Sequence, residues 1–475
     1  MARPRVLMLG WEFLPAISGG IGKATYQLAK ALSSYVDLTV IIPYMPSEVS
    51  PPTDFHLVAV NQLTEEDYPS QAERTSASLQ TISYGAFAEV MLVSTELTPY
   101  PVPVPVPRAE VTEPNQQPEL ITLPEHLQKE ETSSLSLTQL TRYWLGSGEL
   151  QGNHLMEKVH AFVQAVLRLV EGKTFDLVHV HDWLTLQAGV AIKHRLRIPL
   201  VAHIHSLEVD RSGPIACSAE NPIYAIEYLG MLEADWIISV SHYTKNRIIE
   251  YYPHVEASKI RVVYNAINPD EALLELTQQV EFRAIPSLPK RKIVLFVGRL
   301  TYQKGPEYLL ETAEKILARD PEVLFVVVGK GDLYHWLASQ IAQKGLGANF
   351  ILTGFLSPER VASIMQMAHV YFMPSASEPF GLSALEAALA GVPTVISAQS
   401  GIAELLQFVL KANYWDTDRF AHYILALLNN PALSQVLAEE NRRTVSKMSW
   451  EEAATQVRAL YYHLLPHLRE TKQSP

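Results

Sequence analysis

Cysteine is almost absent: Cys217 is the only one in 475 residues. A disulfide framework and any multi-cysteine metal site are therefore excluded. Basic runs are scarce too. Asp and Glu number 50 against 38 Lys and Arg, giving a net charge of −12 and excluding duplex nucleic acid as an expected partner. No apolar stretch reaches the ~18 residues of a membrane-spanning helix. The apolar run at the start, Val6–Leu9, is too short for a signal peptide. The expectation is a soluble, cytoplasmic protein. What is abundant is apolar residue, at 48%, with only 19% charged, an ordinary globular balance. At roughly 150 residues per domain, the length suggests two or three domains.

Short β-type runs alternate with helical patterns, the signature of parallel α/β layers. In the first half, strands are expected at Val6–Leu9, Leu38–Ile42, Leu177–Val180, Leu200–Ile204, Trp236–Val240 and Val262–Tyr264, with a helix at Ile21–Leu32. In the second half they are expected at Ile293–Val297, Val323–Val328, Phe350–Leu352, Val370–Met373 and Thr394–Ile396. Helices are expected near Pro306–Ala318, Leu333–Lys344, Pro358–Met367 and Leu382–Ala390. Glu281–Arg291, with two prolines beside a basic patch, reads as the linker. The division is residues 1–280, then 281–445, then a C-terminal helical segment 446–475 that packs back on the first domain. Met45–Gly152 reads as a long excursion holding the Pro-Val tract of 98–107 and short strands at Phe55–Val60 and Glu89–Val93. Two α/β halves facing each other make a cleft, and ligands in such sheets sit beyond the carboxyl ends of the strands.

Several motifs fall at those ends. Gly19-Gly20-Ile21-Gly22 follows the first strand and opens a helix, where backbone N–H groups can approach a phosphate. It is an imperfect dinucleotide fingerprint, since Thr25 stands where the third Gly belongs, and it fails as a P-loop. A tight strand–helix turn is the plain alternative. Arg299 and Lys304 follow the first strand of the second half and suit a diphosphate, or else are solvated surface cations. Glu378 sits in a Pro-Gly loop, and Glu386 lies about a turn into the next helix. Both carboxylates can face one crevice mouth and hold sugar or ribose hydroxyls. Acidic decoration of a helix N-terminus, or paired acid and base of a hydrolase, are the alternatives. His179, His181, His203 and His205 end two strands, each pair on one face. A metal site is one reading. Hydrogen bonding to sugar hydroxyls by one of them, the others structural, is the preferred one.

Together these residues resemble the retaining glycosyltransferases built of two Rossmann-like domains, the GT-B fold, and within them the glycogen/starch synthases and the family 4 transferases. The matching stretches are 10–15 with Gly19–Gly22, His179–Trp183, His205, Gly298–Gly305, Glu378–Glu386 and Gly391–Pro393. The resemblance implies a nucleotide-sugar donor, a glucan or other sugar acceptor, and no metal or other cofactor. It implies that Arg299 and Lys304 bind the donor diphosphate. Glu378 would hold the transferred sugar, helped by the N–H groups of Phe380, Gly381 and Leu382, and Glu386 the ribose. Gly20 and Gly22 would close over the phosphates, His205 would meet the donor sugar, and Asp182 would shape the acceptor side. The chain departs from the synthase pattern at Ile17, Phe380 and Ala266, where Lys, Cys and Gly are usual. The function the synthase resemblance implies is transfer of a hexose, glucose first, to a glucan. A family 4 transferase using a UDP-sugar or GDP-mannose on a non-glucan acceptor, a nucleotide-sugar epimerase of the same fold, and a binding protein without catalysis remain as other readings.

Overall fold

The computed structural model describes residues 3–14, 19–67, 137–146, 150, 154–218, 220–269 and 291–466. The first lobe holds β1 (Arg5–Leu9), β2 (Asp37–Ile42), β3 (His56–Ala59), β4 (Leu177–His181), β5 (Leu200–Ile204), β6 (Trp236–Ser239) and β7 (Ile260–Val262). Their order across the sheet is β3-β2-β1-β4-β5-β6-β7. The second lobe holds β8 (Ile293–Val297), β9 (Leu324–Val328), β10 (Phe350–Gly354), β11 (Val370–Met373), β12 (Thr394–Ser397) and β13 (Leu410–Ala412), in the order β10-β9-β8-β11-β12-β13. Among the described residues every strand ladder is parallel. Both orders reverse direction at one point, between β1 and β4 and between β8 and β11. That is where a doubly wound sheet opens a crevice.

Burial on both faces explains the near-continuous apolar strands. In β1, Leu7 and Leu9 join one core, while Val6 and Met8 join the core on the opposite face. The same alternation divides β8 between two further cores. His179, His181 and His203 fall at the alternation positions of the core that contains Val6, Leu177 and Val201. That face is covered by the helix Gly20–Ser33 and by the last helix, Trp450–Leu464. Trp450, Ala453, Ala454, Val457 and Tyr461 belong to this first-lobe core, although the chain has just left the second lobe at Val445.

Several expectations shift. The last strand of the first lobe is Ile260–Val262, two residues earlier than Val262–Tyr264. Ile260 pairs with Ile237 and Val262 with Ser239, and the Tyr264 hydroxyl instead donates to Glu404 of the other lobe. The expected run Phe55–Val60 is strand only over His56–Ala59 and then turns into a short 3-10 helix. Within the 45–152 excursion, β3 is an integral edge strand, and a helix at Leu137–Leu145 packs against the helix Leu155–Leu169. The strand reading at Glu89–Val93, the Pro-Val tract and the linker residues 281–290 lie outside the described residues.

The lobes meet through a dense polar hinge. Glu404 of the second lobe accepts from the first two N–H groups of the helix His242–Tyr251, at 2.9 Å from His242 and 2.5 Å from Tyr243. A carboxylate at a helix N-terminus is favoured both by those unpaired donors and by the helix field. Ser241 Oγ donates to the Pro379 carbonyl at 2.6 Å. Gly401 permits this approach, because a Cβ there would come within 2.2 Å of that carbonyl oxygen.

Candidate active site

The main cleft has a volume of about 600 Å³ and runs between the carboxyl ends of the two sheets. Its first-lobe wall carries Glu12, Gly20, Lys23, Asp182 and His205; its second-lobe wall carries Arg299, Lys304, Glu378, Phe380 and Glu386. Gly381 and Leu382 also line it. Thus the cations after β8 and the carboxylates after β11 face one space.

Lys304 Nζ lies 2.5 Å from Glu378 Oε2. The Ser375 hydroxyl also reaches that oxygen, at 3.4 Å. The Glu378 backbone is tied at both ends, its N–H donating to Gln399 and its carbonyl accepting from Gly401. The carboxylate is buried and rigidly presented. Gly381, at φ +114°, closes this loop: a Cβ would sit 2.9 Å from Ile402 Cγ2 and 3.4 Å from Glu378 Cγ. It precedes the helix Leu382–Leu389, whose start has no side-chain cap among the described residues, and Leu382 and Ser383 of that start line the cleft. Arg299 lies near enough to Asp332 to lower a carboxyl that burial raises.

Across the cleft, Lys23 Nζ reaches Glu386 Oε1 at 2.7 Å and bridges the lobes. Gly20 stands opposite Leu382, 3.9 Å from its Cδ1 for a Cβ built there. Gly22 does not belong to the cleft wall. It is buried inside the helix that begins at Gly20, because the helical turn carries position 22 away from the face shared by Gly20 and Lys23. The substitution at Ile17 lies outside the described residues.

Asp182 has a backbone that non-glycine residues avoid, φ 57° and ψ 175°. Such a conformation costs on the order of 1–3 kcal/mol and persists where neighbours over-determine it. Here Asp182 N–H donates to the His203 carbonyl at 2.9 Å, and Oδ1 accepts from His205 N–H at 2.6 Å and Ser206 N–H at 3.3 Å. Burial pushes its carboxyl up to about 7, against those two donors and Arg211.

The four histidines form a buried stack. Ring centroids are 4.6 Å apart for His179 and His181, 5.0 Å for His181 and His203, and 4.4 Å for His203 and His205. Burial keeps each below the usual histidine range, His205 at about 3, so all four are neutral. Nitrogens of His179, His181 and His203 lie within 4.8 Å of one another. Their planes are inclined by only 20°, 28° and 9°, so the in-plane lone pairs run side by side. A zinc ion at ~2.0 Å from each nitrogen needs lone pairs that converge. Nearly parallel rings disfavour that convergence.

Comparison with known proteins bears on the family and the fold. Residues 278–444 match the family described as glycosyl transferases group 1, and residues 130–271 match glycosyltransferase family 4. The chain is 34% identical over 295 residues to an uncharacterized glycosyltransferase of Methanocaldococcus jannaschii, covering 60% of this chain and 75% of that one. The chain belongs to the glycosyltransferases. The glycogen synthase of Mycobacterium tuberculosis is 25% identical over 471 residues, covering 96% of this chain and 94% of that protein. Among solved structures, the sucrose-phosphate synthase of Thermosynechococcus elongatus superposes with a TM-score of 0.65, at 18% identity, over 98% of this chain and 100% of that one. The fold is GT-B. Among the described residues, no helix is long and apolar enough to cross a membrane.

Proposed function

We propose that this transferase moves glucose from a nucleoside-diphosphate glucose to a hydroxyl of a glucan, with retention of the anomeric configuration. The observation that carries the reading is the convergence of Arg299, Lys304, Glu378, Glu386 and His205 on one interlobe cleft. The resemblance to synthases at these residues, and the full-length similarity to a glycogen synthase, support glucose and a glucan.

The chemistry follows from charge. As the glycosyl–phosphate bond stretches, the sugar gains oxocarbenium character and negative charge grows on the leaving diphosphate. Arg299, Lys304 and the uncapped helix start at Leu382 meet that charge, and they bind it more tightly as it grows. Two cations and a helix N-terminus supply the neutralisation, so the reaction requires no metal ion. Glu378 holds sugar hydroxyls beside the reacting carbon, and Glu386 exchanges Lys23 for the ribose hydroxyls. The acceptor hydroxyl enters on the face that the diphosphate leaves, and a diphosphate oxygen takes its proton. Asp182 supports this route, since its Oδ1 is committed to two backbone donors and is poorly placed as a base.

The configuration of the first product decides the matter. Proton NMR of freshly made oligosaccharide from an α-linked donor should show a new α linkage, with turnover unchanged by EDTA. A β linkage would end the retaining proposal. A changed sugar still attached to its nucleotide, formed without acceptor, would indicate an epimerase.

A further inference from the structure

His205 is the cleft histidine, and one of its ring nitrogens is already taken. His181 Nδ1 lies 2.8 Å from His205 Nε2, and both side chains are buried. One proton occupies that contact, and it belongs to one ring or the other. If His205 Nε2 held it, neutral His181 would carry its own proton at Nε2. Among the described residues that atom is buried and has no hydrogen-bond partner. An orphaned buried N–H is rarer in folded proteins than an orphaned acceptor, and carries a desolvation penalty of ~1–3 kcal/mol. If His181 Nδ1 holds the proton instead, its Nε2 is a bare lone pair and this pair of rings strands no N–H. His205 Nε2 is then the acceptor, and the His205 proton sits on Nδ1.

We propose that His181 is a positioning residue that fixes His205 in its Nδ1–H tautomer, so that His205 meets the donor sugar as a hydrogen-bond donor and not as a base. The part about the sugar rests on the transferase reading above; the part about the proton does not. The surroundings maintain the arrangement. The His203 ring stacks 4.4 Å from His205, and Asp182 Oδ1 fixes the His205 backbone. His179 is anchored at the far end by the Tyr461 hydroxyl, 2.5 Å from its Nδ1. A donor at Nδ1 suits a sugar hydroxyl oxygen whose own proton points to Glu378. It also leaves the acceptor proton to the leaving diphosphate, since this imidazole edge has no lone pair.

Two measurements test it separately. Nitrogen-15 NMR of histidine-labelled enzyme, with His205 identified by its loss in His205→Gln, reports the protonated nitrogen directly. The expected spectrum has His205 pyrrole-like at Nδ1 and pyridine-like at Nε2; the reverse overturns the proposal whatever the enzyme's substrate. The kinetic arm compares His181→Leu with His181→Asn, whose amide N–H can stand where Nδ1–H stood. His181→Leu should lose roughly 10- to 100-fold in kcat with a smaller change in donor KM. His181→Asn should recover most of that loss. Equal activity in the two variants overturns the positioning role. An inactive wild-type enzyme with the expected spectrum would instead count against the transferase reading.

Discussion

Replacing Lys304 or Arg299 by Ala should each lower kcat by about 10²-fold or more, a loss of ~2.7 kcal/mol of transition-state stabilisation. The effect should fall on kcat more than on donor KM, because the charge these groups meet is larger in the transition state than in the bound donor. Lys304 has a double duty that sharpens the expectation. Its ammonium lies 2.5 Å from Glu378, so it fixes the carboxylate that holds the sugar while serving the phosphates. Lys304→Ala therefore removes both a charge and a tether. Steady-state rates, with a melting curve to confirm that the variants fold, check the result. Near-wild-type kcat in both variants would remove these residues from the mechanism.

The largest stability effect is expected at a buried ion cluster in the first-lobe wall of the cleft. Arg211 is buried, with Nε 3.0 Å from Glu208 and its terminal nitrogen bonded to Glu227. Glu227 also accepts from Glu208 N–H and from the Tyr252 hydroxyl. Removing the cation strands two buried carboxylates, so Arg211→Met should destabilise by about 3–5 kcal/mol. For a lobe of this size that is a fall of roughly 10 °C in Tm. The loss should depend on pH. Burial already pushes Glu227 up to about 7, opposed by Arg211. A carboxyl raised in the folded state contributes full stability below its unfolded value and loses it as pH rises through the folded value. Without Arg211 the folded value climbs further, so the gap between variant and wild type should widen from pH 6 to pH 8. Adding Glu227→Gln should restore part of the loss. A variant that melts with the wild type at both pH values would contradict this account of the cluster.

The strands were legible because both sheets are parallel and buried on two faces, which writes them as short apolar runs such as Ile293–Val297 and Val370–Met373. The helices Thr417–Asn429 and Pro431–Val445 carry readable starts, Asp416 accepting from Arg419 N–H and Asn430 from Leu433 N–H, yet were not among the expected elements. β13, only three residues long, has no comparable signal. At the site, chain position relative to strand ends was enough to gather Arg299, Lys304, Glu378, Glu386, Asp182 and His205. It was not enough for their pairings. Lys23 and Glu386 are 363 positions apart, and Asp210, which accepts from Ser377 Oγ at 2.7 Å beside Glu378, is 167 away. Contacts of that range leave no local pattern. Nor does alternation reveal that the histidines of β4 and those at the end of β5 share one stack, because it gives the face within a strand but not which strands adjoin.

The central claim is that paired cations in the interlobe cleft draw a hexose from a nucleoside diphosphate and hand it to an acceptor. Its most direct test is to follow free nucleoside diphosphate and labelled hexose together, with ADP-, UDP- and GDP-glucose, with and without glucan. The account predicts one nucleoside diphosphate released per hexose transferred for at least one donor, with release dependent on the acceptor. A donor that binds in the cleft while every acceptor leaves its diphosphate bond intact would contradict it.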